Sequence, residues 1–283
     1  MKVFYHNDQD GECAAFCVGQ YYNKKCSRPS EYIADAYEYK LTIDQIKDDE
    51  EVWVVDYSFP PEIMNELNKK CRLTWIDHHN NVINDKGYDN SIPGLRRDGY
   101  AACLLTYMYI RKVDAKSVDE NVPVYIVNVH DRDCWHLKMK DSNTFLLGLD
   151  THDTHPEAEI WKKLDKSPAF ESAQLIKDGM VVERYKNKWA GIYKKRAAFE
   201  ADLHGHKCLA MNMVPFGSEF FCGAENDYDI LMPFFWDGDK YQFSLYSTNG
   251  DVDCSSIARQ YNGNGHKGAA GGWSKILPFK KVN

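Results

Sequence analysis

Acids and histidines gather at four points of the chain, each time next to an apolar run. His6-Asn7-Asp8-Gln9-Asp10-Gly11 follows Val3-Phe4-Tyr5, and Asp56 follows Val52-Trp53-Val54-Val55. Asp77-His78-His79 follows Leu73-Thr74-Trp75-Ile76, and Asp131-Arg132-Asp133 follows the stretch from Val124 to His130. Carboxylates brought this close repel one another unless a cation sits among them. Oxygen donors with some imidazole and no thiolate suit a hard-to-borderline octahedral ion such as Mn²⁺ or Mg²⁺. Four Asp and two His are enough to hold two ions with one shared carboxylate. Two divalent ions about 3.5–4 Å apart clamp both oxygens of an in-line phosphoryl displacement. The chemistry indicated is hydrolysis of a phosphoester or phosphoanhydride. Alone, Asp8 or Asp131 reads as a turn or helix cap, and His78-His79 as a surface pair. Their recurrence at successive element ends favours a metal site.

Such groups meet only if the elements before them end at one edge. In the first half, short apolar runs alternate with helical patterns: Lys2–His6, then Glu12–Tyr22, Tyr32-Ile33-Ala34, Val52–Asp56, a helix opened by Pro60-Pro61, and Leu73–Asp77. This alternation predicts a parallel sheet with helices on both faces. Ligands of open α/β sheets bind beyond the carboxyl ends of the strands, so the four groups would converge there. Tyr100–Ile110 and Pro123–Val129 look like two further helices, or a helix and a strand, and periodicity does not decide. Residues 170–203 read as one long helix with Leu175, Ile176, Met180, Val181, Tyr185, Trp189 and Ile192 on an apolar face. Its Lys and Arg residues read as a solvated face. After Gly205 the pattern turns to strands, at Cys208–Met213, Ser218–Cys222 and a hairpin around Asp237-Gly238-Asp239-Lys240, followed by a helix capped by Asp253. The expected architecture is α/β, with a parallel-sheet catalytic domain over 1–165, a linker helix over 166–204 and a smaller α+β domain over 205–283.

The 283 residues carry a formal net charge of −7, with 35 basic and 42 acidic side chains. Residues 1–160 hold 28 acids and 18 bases, while 161–283 hold 14 and 17. A protein that grips long duplexes by their phosphates is usually basic, so a long duplex is not expected as partner. Nine scattered cysteines without a CxxC pair read as reduced core thiols. No apolar run nears the roughly 18 residues of a membrane span, and no signal pattern precedes Lys2. A cytoplasmic protein is expected, with no membrane partner and a homodimer possible.

His6-Asn7-Asp8-Gln9-Asp10-Gly11 resembles the HxDxDG motif of the DHH phosphoesterases, and Asp77-His78-His79 resembles the triplet that names them. Asp56 sits where their lone second-motif Asp is expected. Asp131 is the candidate for the fourth-motif Asp, with Asp133 as rival. Gly263-Asn264-Gly265-His266-Lys267-Gly268-Ala269-Ala270-Gly271 looks like the GGGH-xx-AAG signature of their nucleotide-binding C-terminal domain, so the resemblance spans essentially the whole chain. Asp131-Arg132-Asp133-Cys134-Trp135 resembles the variant of the nanoRNase-B-like branch.

The resemblance implies two Mn²⁺, with Mg²⁺ or Co²⁺ as substitutes. His6 and Asp8 would hold one, Asp10, His78 and Asp131 the other, and Asp56 both. A water between the ions would be the nucleophile. His79 would contact the scissile phosphate or pass a proton, and Asp77 would orient His78. Gly265, His266, Lys267, Gly268 and Ser247, with Arg97, would bind the substrate. Two departures stand out: Tyr246 replaces an Arg common among oligonucleotide-cleaving members, and Asn264 replaces a glycine of the tail. The expected activity is hydrolysis of short single-stranded oligonucleotides or linear dinucleotides to mononucleotide 5′-phosphates. Alternatives are a phosphatase or pyrophosphatase on a small compound such as 3′-phosphoadenosine 5′-phosphate or pyrophosphate, a cyclic-dinucleotide phosphodiesterase, and a non-catalytic nucleotide sensor. The basic Ser-Arg-Lys-Lys-Gln motif of the pyrophosphatase branch is absent from the sequence.

Overall fold

A computed structural model of the chain describes residues 1–26, 31–35, 42–113, 122–214, 217–221, 223–224, 226–265 and 267–282. The chain forms two compact units, Met1–Val182 and Glu183–Asn283. His266 lies outside the described residues.

In the first unit, strands β1 (Lys2–His6), β2 (Glu31–Asp35), β3 (Glu51–Val55), β4 (Arg72–Asp77) and β5 (Gly94–Arg96) form a sheet in the order β2-β1-β3-β4-β5. Every pairing is parallel. The strands are apolar along their length because both faces are covered. Val3, Tyr5, Trp53 and Val55 enter one core. Phe4, Val52 and Val54, alternating with them, enter another with Met64 and Leu67. Helices α1 (Gln9–Cys26), α4 (Ala102–Arg111) and α5 (Val124–Asp133) supply the first core, and α2 (Pro61–Lys70) the second. One-turn helix α3 (Asn80–Ile83) follows β4, and α6 (Ser142–Leu149) and α7 (Glu159–Lys166) follow α5.

The register levels the strand ends. Tyr5 pairs with Val55 and Val55 with Ile76, so His6, Asp56 and Asp77 emerge side by side at the carboxyl edge. Both segments left open by the sequence are helices, α4 and α5. In α5, Tyr125, Ile126, Asn128 and Val129 are buried, a helical spacing, so Asp131 and Asp133 sit on its last turn and do not follow a strand.

The long helix, α8, runs Pro168–Ala197, short of the expected end at 203. Ala198–Leu203 is instead strand β6, paired antiparallel with β7 (His206–Asn212) and burying Ala201 and Leu203. The composition Ala-Phe-Glu-Ala-Asp-Leu suits a helix, but pairing and burial override propensity. The helix's apolar face is covered in part: Leu175 is buried, Ile176 and Ile192 are half-buried, and Met180, Val181, Tyr185 and Trp189 are exposed. No described helix is long and apolar enough to cross a membrane.

The second unit holds a sheet in the order β10-β11-β9-β8-β7-β6-β12. Its strands β8 (Ile230–Trp236) and β9 (Tyr241–Ser247) form the expected hairpin, with Asp237 Oδ1 accepting the amides of Asp239 and Lys240 at 2.9 Å. Strands β10 (Asn264–Gly265) and β11 (Ala269–Ser274) continue it, and β12 (Lys280–Lys281) closes the far edge. Asp253 caps the helix Cys254–Ala258, as expected. Ser218–Phe221, expected as strand, is a 3₁₀ turn. Phe220 and Phe221 are both buried, which the alternation of a strand with one buried face does not allow.

The turn after β1 requires Gly11. A Cβ there would lie 2.1 Å from the His6 carbonyl oxygen, and its amide donates to Asp8 Oδ1 at 2.9 Å. Gly11→Ala should destabilise the protein by about 1–3 kcal/mol, the usual range for overpacking, and displace His6 and Asp8 together. Chemical denaturation and metal titration check this; unchanged stability with unchanged metal binding is the contrary result.

Candidate metal centre

The level strand ends become a cluster through short, fixed contacts. His6 Nδ1 lies 2.7 Å from Asp8 Oδ2 and 3.8 Å from Asp56 Oδ2. His78 Nε2 lies 3.2 Å from Asp56 Oδ1, 3.8 Å from Asp10 Oδ2 and 3.6 Å from Asp133 Oδ2. Asp56 stands at the centre, between the two histidines. Its φ of 54° puts it in the left-handed region, which Asp tolerates better than most residues at a cost of about 1–3 kcal/mol. Its amide donates to the Ile76 carbonyl at 2.9 Å, which fixes the turn.

Asp10 is buried at 2% exposure. Its two oxygens accept the amides of Ala102 at 2.7 Å and Cys103 at 2.8 Å, at the amino end of α4, where the helix dipole favours a negative charge. Even so, burial and then the Asp56 charge push its carboxyl up to about 7. Burial and the Asp10 charge do the same to Asp133, also to about 7. Burial and Asp8 raise Asp56. The histidines move with their partners: burial opposes their charge, but Asp56 and Asp8 raise His6 to about 10, and Asp56 is the leading cause that raises His78 to about 12.

These conditions fit divalent cations. The donor set is carboxylate and imidazole, its like charges oppose one another, and buried Asp56 Oδ1 faces the His78 ring at 3.2 Å. Asp56 groups with His6 and Asp8 on one side and with His78 and His79 on the other, each group having ligand atoms within 4.8 Å of one another. His78 groups likewise with Asp133 and Cys134; burial pushes the Cys134 thiol up, away from the thiolate that binds metal.

Two expected roles change. Asp131 does not join the cluster. Its Oδ1 accepts the Lys138 amide at 2.8 Å and its Oδ2 the Met139 amide at 3.1 Å. Burial raises its carboxyl, but hydrogen bonds from Ser142 and these amides hold it below the usual range. It clamps the loop after α5, and the rival Asp133, two residues on, faces His78. Asp77 orients His79 and not the His78 ring: its Oδ1 lies 2.7 Å from His79 Nδ1 and accepts the His78 amide at 2.7 Å and the His79 amide at 3.0 Å. Ser58 donates to Asp77 Oδ2, and Trp75 Nε1 donates to Ser58 Oγ at 2.9 Å, so the carboxylate is held on both sides.

Of the expected substrate-binding residues, Ser247, Gly265, Lys267 and Gly268 gather in the second unit. The Ser247 amide donates to the Gly268 carbonyl at 2.9 Å, and the Lys267 carbonyl accepts the Cys254 amide at 2.9 Å. Gly265 has φ of 145°, and a Cβ there would approach Ala270 Cα to 2.5 Å. Tyr246 pairs with Ala269. In the first unit, the Arg97 guanidinium lies 4.3 Å over the Tyr100 ring. A feature outside the expectations is Trp135, 56% exposed at φ 54°, with the Arg132 guanidinium 3.9 Å from its ring centre. A tryptophan's type does not announce exposure.

Asp131→Ala should cost about 1.5–3 kcal/mol of stability, the usual worth of hydrogen bonds to a charged group, while Asp133→Asn should keep stability and weaken metal binding. Denaturation midpoints and Mn²⁺ titration of both variants check the assignment; the opposite pattern would return the fourth-motif role to Asp131.

No family model matches the sequence. An uncharacterized protein of Acanthamoeba polyphaga mimivirus is 25% identical over 316 residues, covering 99% of this chain and 70% of that protein. Among solved structures, a DHH domain described as a member of the s1p family of ribosomal proteins aligns with TM-score 0.61 and 12% identity, over 99% of this chain and 82% of that one. The pGpG-specific phosphodiesterase PggH from Vibrio cholerae aligns with TM-score 0.54 and 9% identity, over 97% and 93%. With the parallel sheet, its level strand ends and the second mixed sheet, these likenesses establish that the chain has the DHH phosphoesterase fold.

Proposed function

We propose that the protein is a Mn²⁺-dependent phosphodiesterase that hydrolyses short single-stranded oligonucleotides or linear dinucleotides to mononucleotide 5′-phosphates. The observation that carries this reading is the convergence of His6, Asp8, Asp10, Asp56, His78 and Asp133 at one sheet edge. His6 and Asp8 would hold one ion, Asp10, His78 and Asp133 the second, and Asp56 both. Bound there, two divalent ions supply Lewis acidity toward the phosphoryl oxygens and lower the pKa of water.

The chain's own residues do the rest. Asp77, fixed by Ser58, holds Nδ1 of His79 and so leaves Nε2 as the ring's working end. Burial opposes the imidazolium, but Asp77 raises its pKa, which favours a proton at Nε2 for donation to a phosphoryl or leaving-group oxygen. A base finds a flat exposed face in Trp135, two residues from Asp133, and stacking suits any nucleobase. This face favours a nucleotide over inorganic pyrophosphate. The solved relative PggH is named for a linear dinucleotide, which supports the same substrate class.

The test is a panel with Mn²⁺: a labelled linear dinucleotide, a longer RNA, a cyclic dinucleotide, 3′-phosphoadenosine 5′-phosphate and pyrophosphate. The dinucleotide should be hydrolysed fastest. No turnover of any compound removes the enzyme reading, and pyrophosphate as sole substrate removes the diesterase. Asp56→Ala should lose both ions by elemental analysis and nearly all activity. His79→Gln should keep both ions yet slow the reaction by roughly 10²–10⁴-fold, the scale of a lost general acid; a rate within a few-fold of the parent would contradict that role.

A further inference from the structure

Along α8 the structure leaves a row of aromatic side chains largely exposed, with Tyr193 also edge-on to Phe220 at 6.4 Å between ring centres. Tyr185 is 64% exposed, Trp189 39% and Tyr193 42%. Spaced by four residues, they stand in one row along the helix. Ring centres are 6.1 Å apart from Tyr185 to Trp189 and 6.3 Å from Trp189 to Tyr193. Beside this row runs a second one: Arg184, Lys188 and Lys195 are exposed and fall within one strip of the helix surface, with Arg196 exposed at its end. Among the described residues no ion pair engages these four cations. Across residues 183–196 the sole acid is Glu183, against six basic residues.

We infer that this face of α8 is a binding surface for single-stranded nucleic acid, built from residues other than those of the metal centre. Planar rings beside cations are what an unpaired strand requires: bases stack on the rings and phosphates meet the ammonium and guanidinium groups. The ring spacing is roughly twice the 3.4 Å rise of stacked bases, so successive rings meet the bases of an extended strand. A second copy of this chain is disfavoured as occupant, because the same cations would face each other. An anionic bilayer is disfavoured because two of the three rings are tyrosines and the exposed aliphatic surface beside them on α8 is limited to Met180 and Val181. The surface goes beyond the proposed reaction, and it gives a chain of net charge −7 a local grip on longer strands.

The full-length protein is titrated into a fluorescein-labelled oligothymidylate of twelve nucleotides, in EDTA so that nothing is hydrolysed, with anisotropy and Trp emission as readouts. Binding should weaken with salt by about 0.7 log units per decade for each neutralised phosphate. Trp189→Ala should weaken it roughly 5- to 150-fold, the loss of one stacked base. Lys188→Glu with Lys195→Glu should weaken it and flatten the salt slope. Both variants alter exposed side chains and should keep the parent's Mn²⁺ titration. Three results would overturn the inference: no binding by the parent protein, equal binding by both variants, or preferential binding to phosphatidylserine vesicles or to a second copy by sedimentation. The outcome is independent of catalysis. Strand binding without turnover of any substrate sustains this surface while removing the proposed function, and dinucleotide turnover without strand binding does the reverse.

Discussion

Asp10 carries the tension on which the first unit is built. Its carboxylate is buried, near the buried carboxylate of Asp56 and the more open ones of Asp8 and Asp133, and it is held by the first amides of a helix that begins 92 residues later. That contact joins the β1 turn to α4, and α4 packs against α1 in the same core. A buried charge is tolerated when hydrogen bonds and dipoles face it. Here they do so incompletely, since Asp10 and Asp133 both remain raised to about 7. The fold thus assembles a site whose electrostatics are unfinished by protein groups alone. Perturbed groups of this kind mark functional sites more often than structural ones.

The same edge shows two ways of using an acid. Asp77 and Asp131 are satisfied by protein donors and lie below the usual carboxylate range; they hold parts in place. Asp10, Asp56 and Asp133 are opposed by their neighbours and lie above it; they are the groups a cation would relieve. Similar residue types a few positions apart therefore serve opposite purposes. Hydrogen-bond geometry separates them where residue type does not.

That distinction explains what the sequence made legible. Continuous apolar runs marked β1, β3 and β4, and the acids and histidines after them had to share an edge once the strands were parallel. Six groups of the cluster, with Asp133 as the rival of Asp131, could be named from this. Choosing between Asp131 and Asp133 could not, because it depends on the phase of a helix whose type was open and on where the loop amides of Lys138 and Met139 fall. The partner of Asp77 was hidden for a similar reason: a turn of two residues decides whether a carboxylate meets His78 or His79. The end of α8 was misplaced because Ala-Phe-Glu-Ala-Asp-Leu has helical propensity, while its strand state is imposed by pairing with β7. The exposure of Tyr185 and Trp189 was invisible too, since spacing shows that residues share a face but not whether anything covers it.

Charge connects the two units. The first 160 residues carry a surplus of acids and the remainder a small surplus of bases. A net charge of −7 argues against a protein coated for long duplexes, yet the acids that matter are concentrated where cations would offset them. The bases, in turn, cluster along one helix beside aromatic rings. A chain so divided attracts cations at one place and phosphates at others, which a uniform basic surface could not do without weakening metal affinity. Separating the signs along the chain lets a phosphodiester approach a centre built of carboxylates: the ions, and not the protein's average charge, set the potential that the scissile phosphate meets.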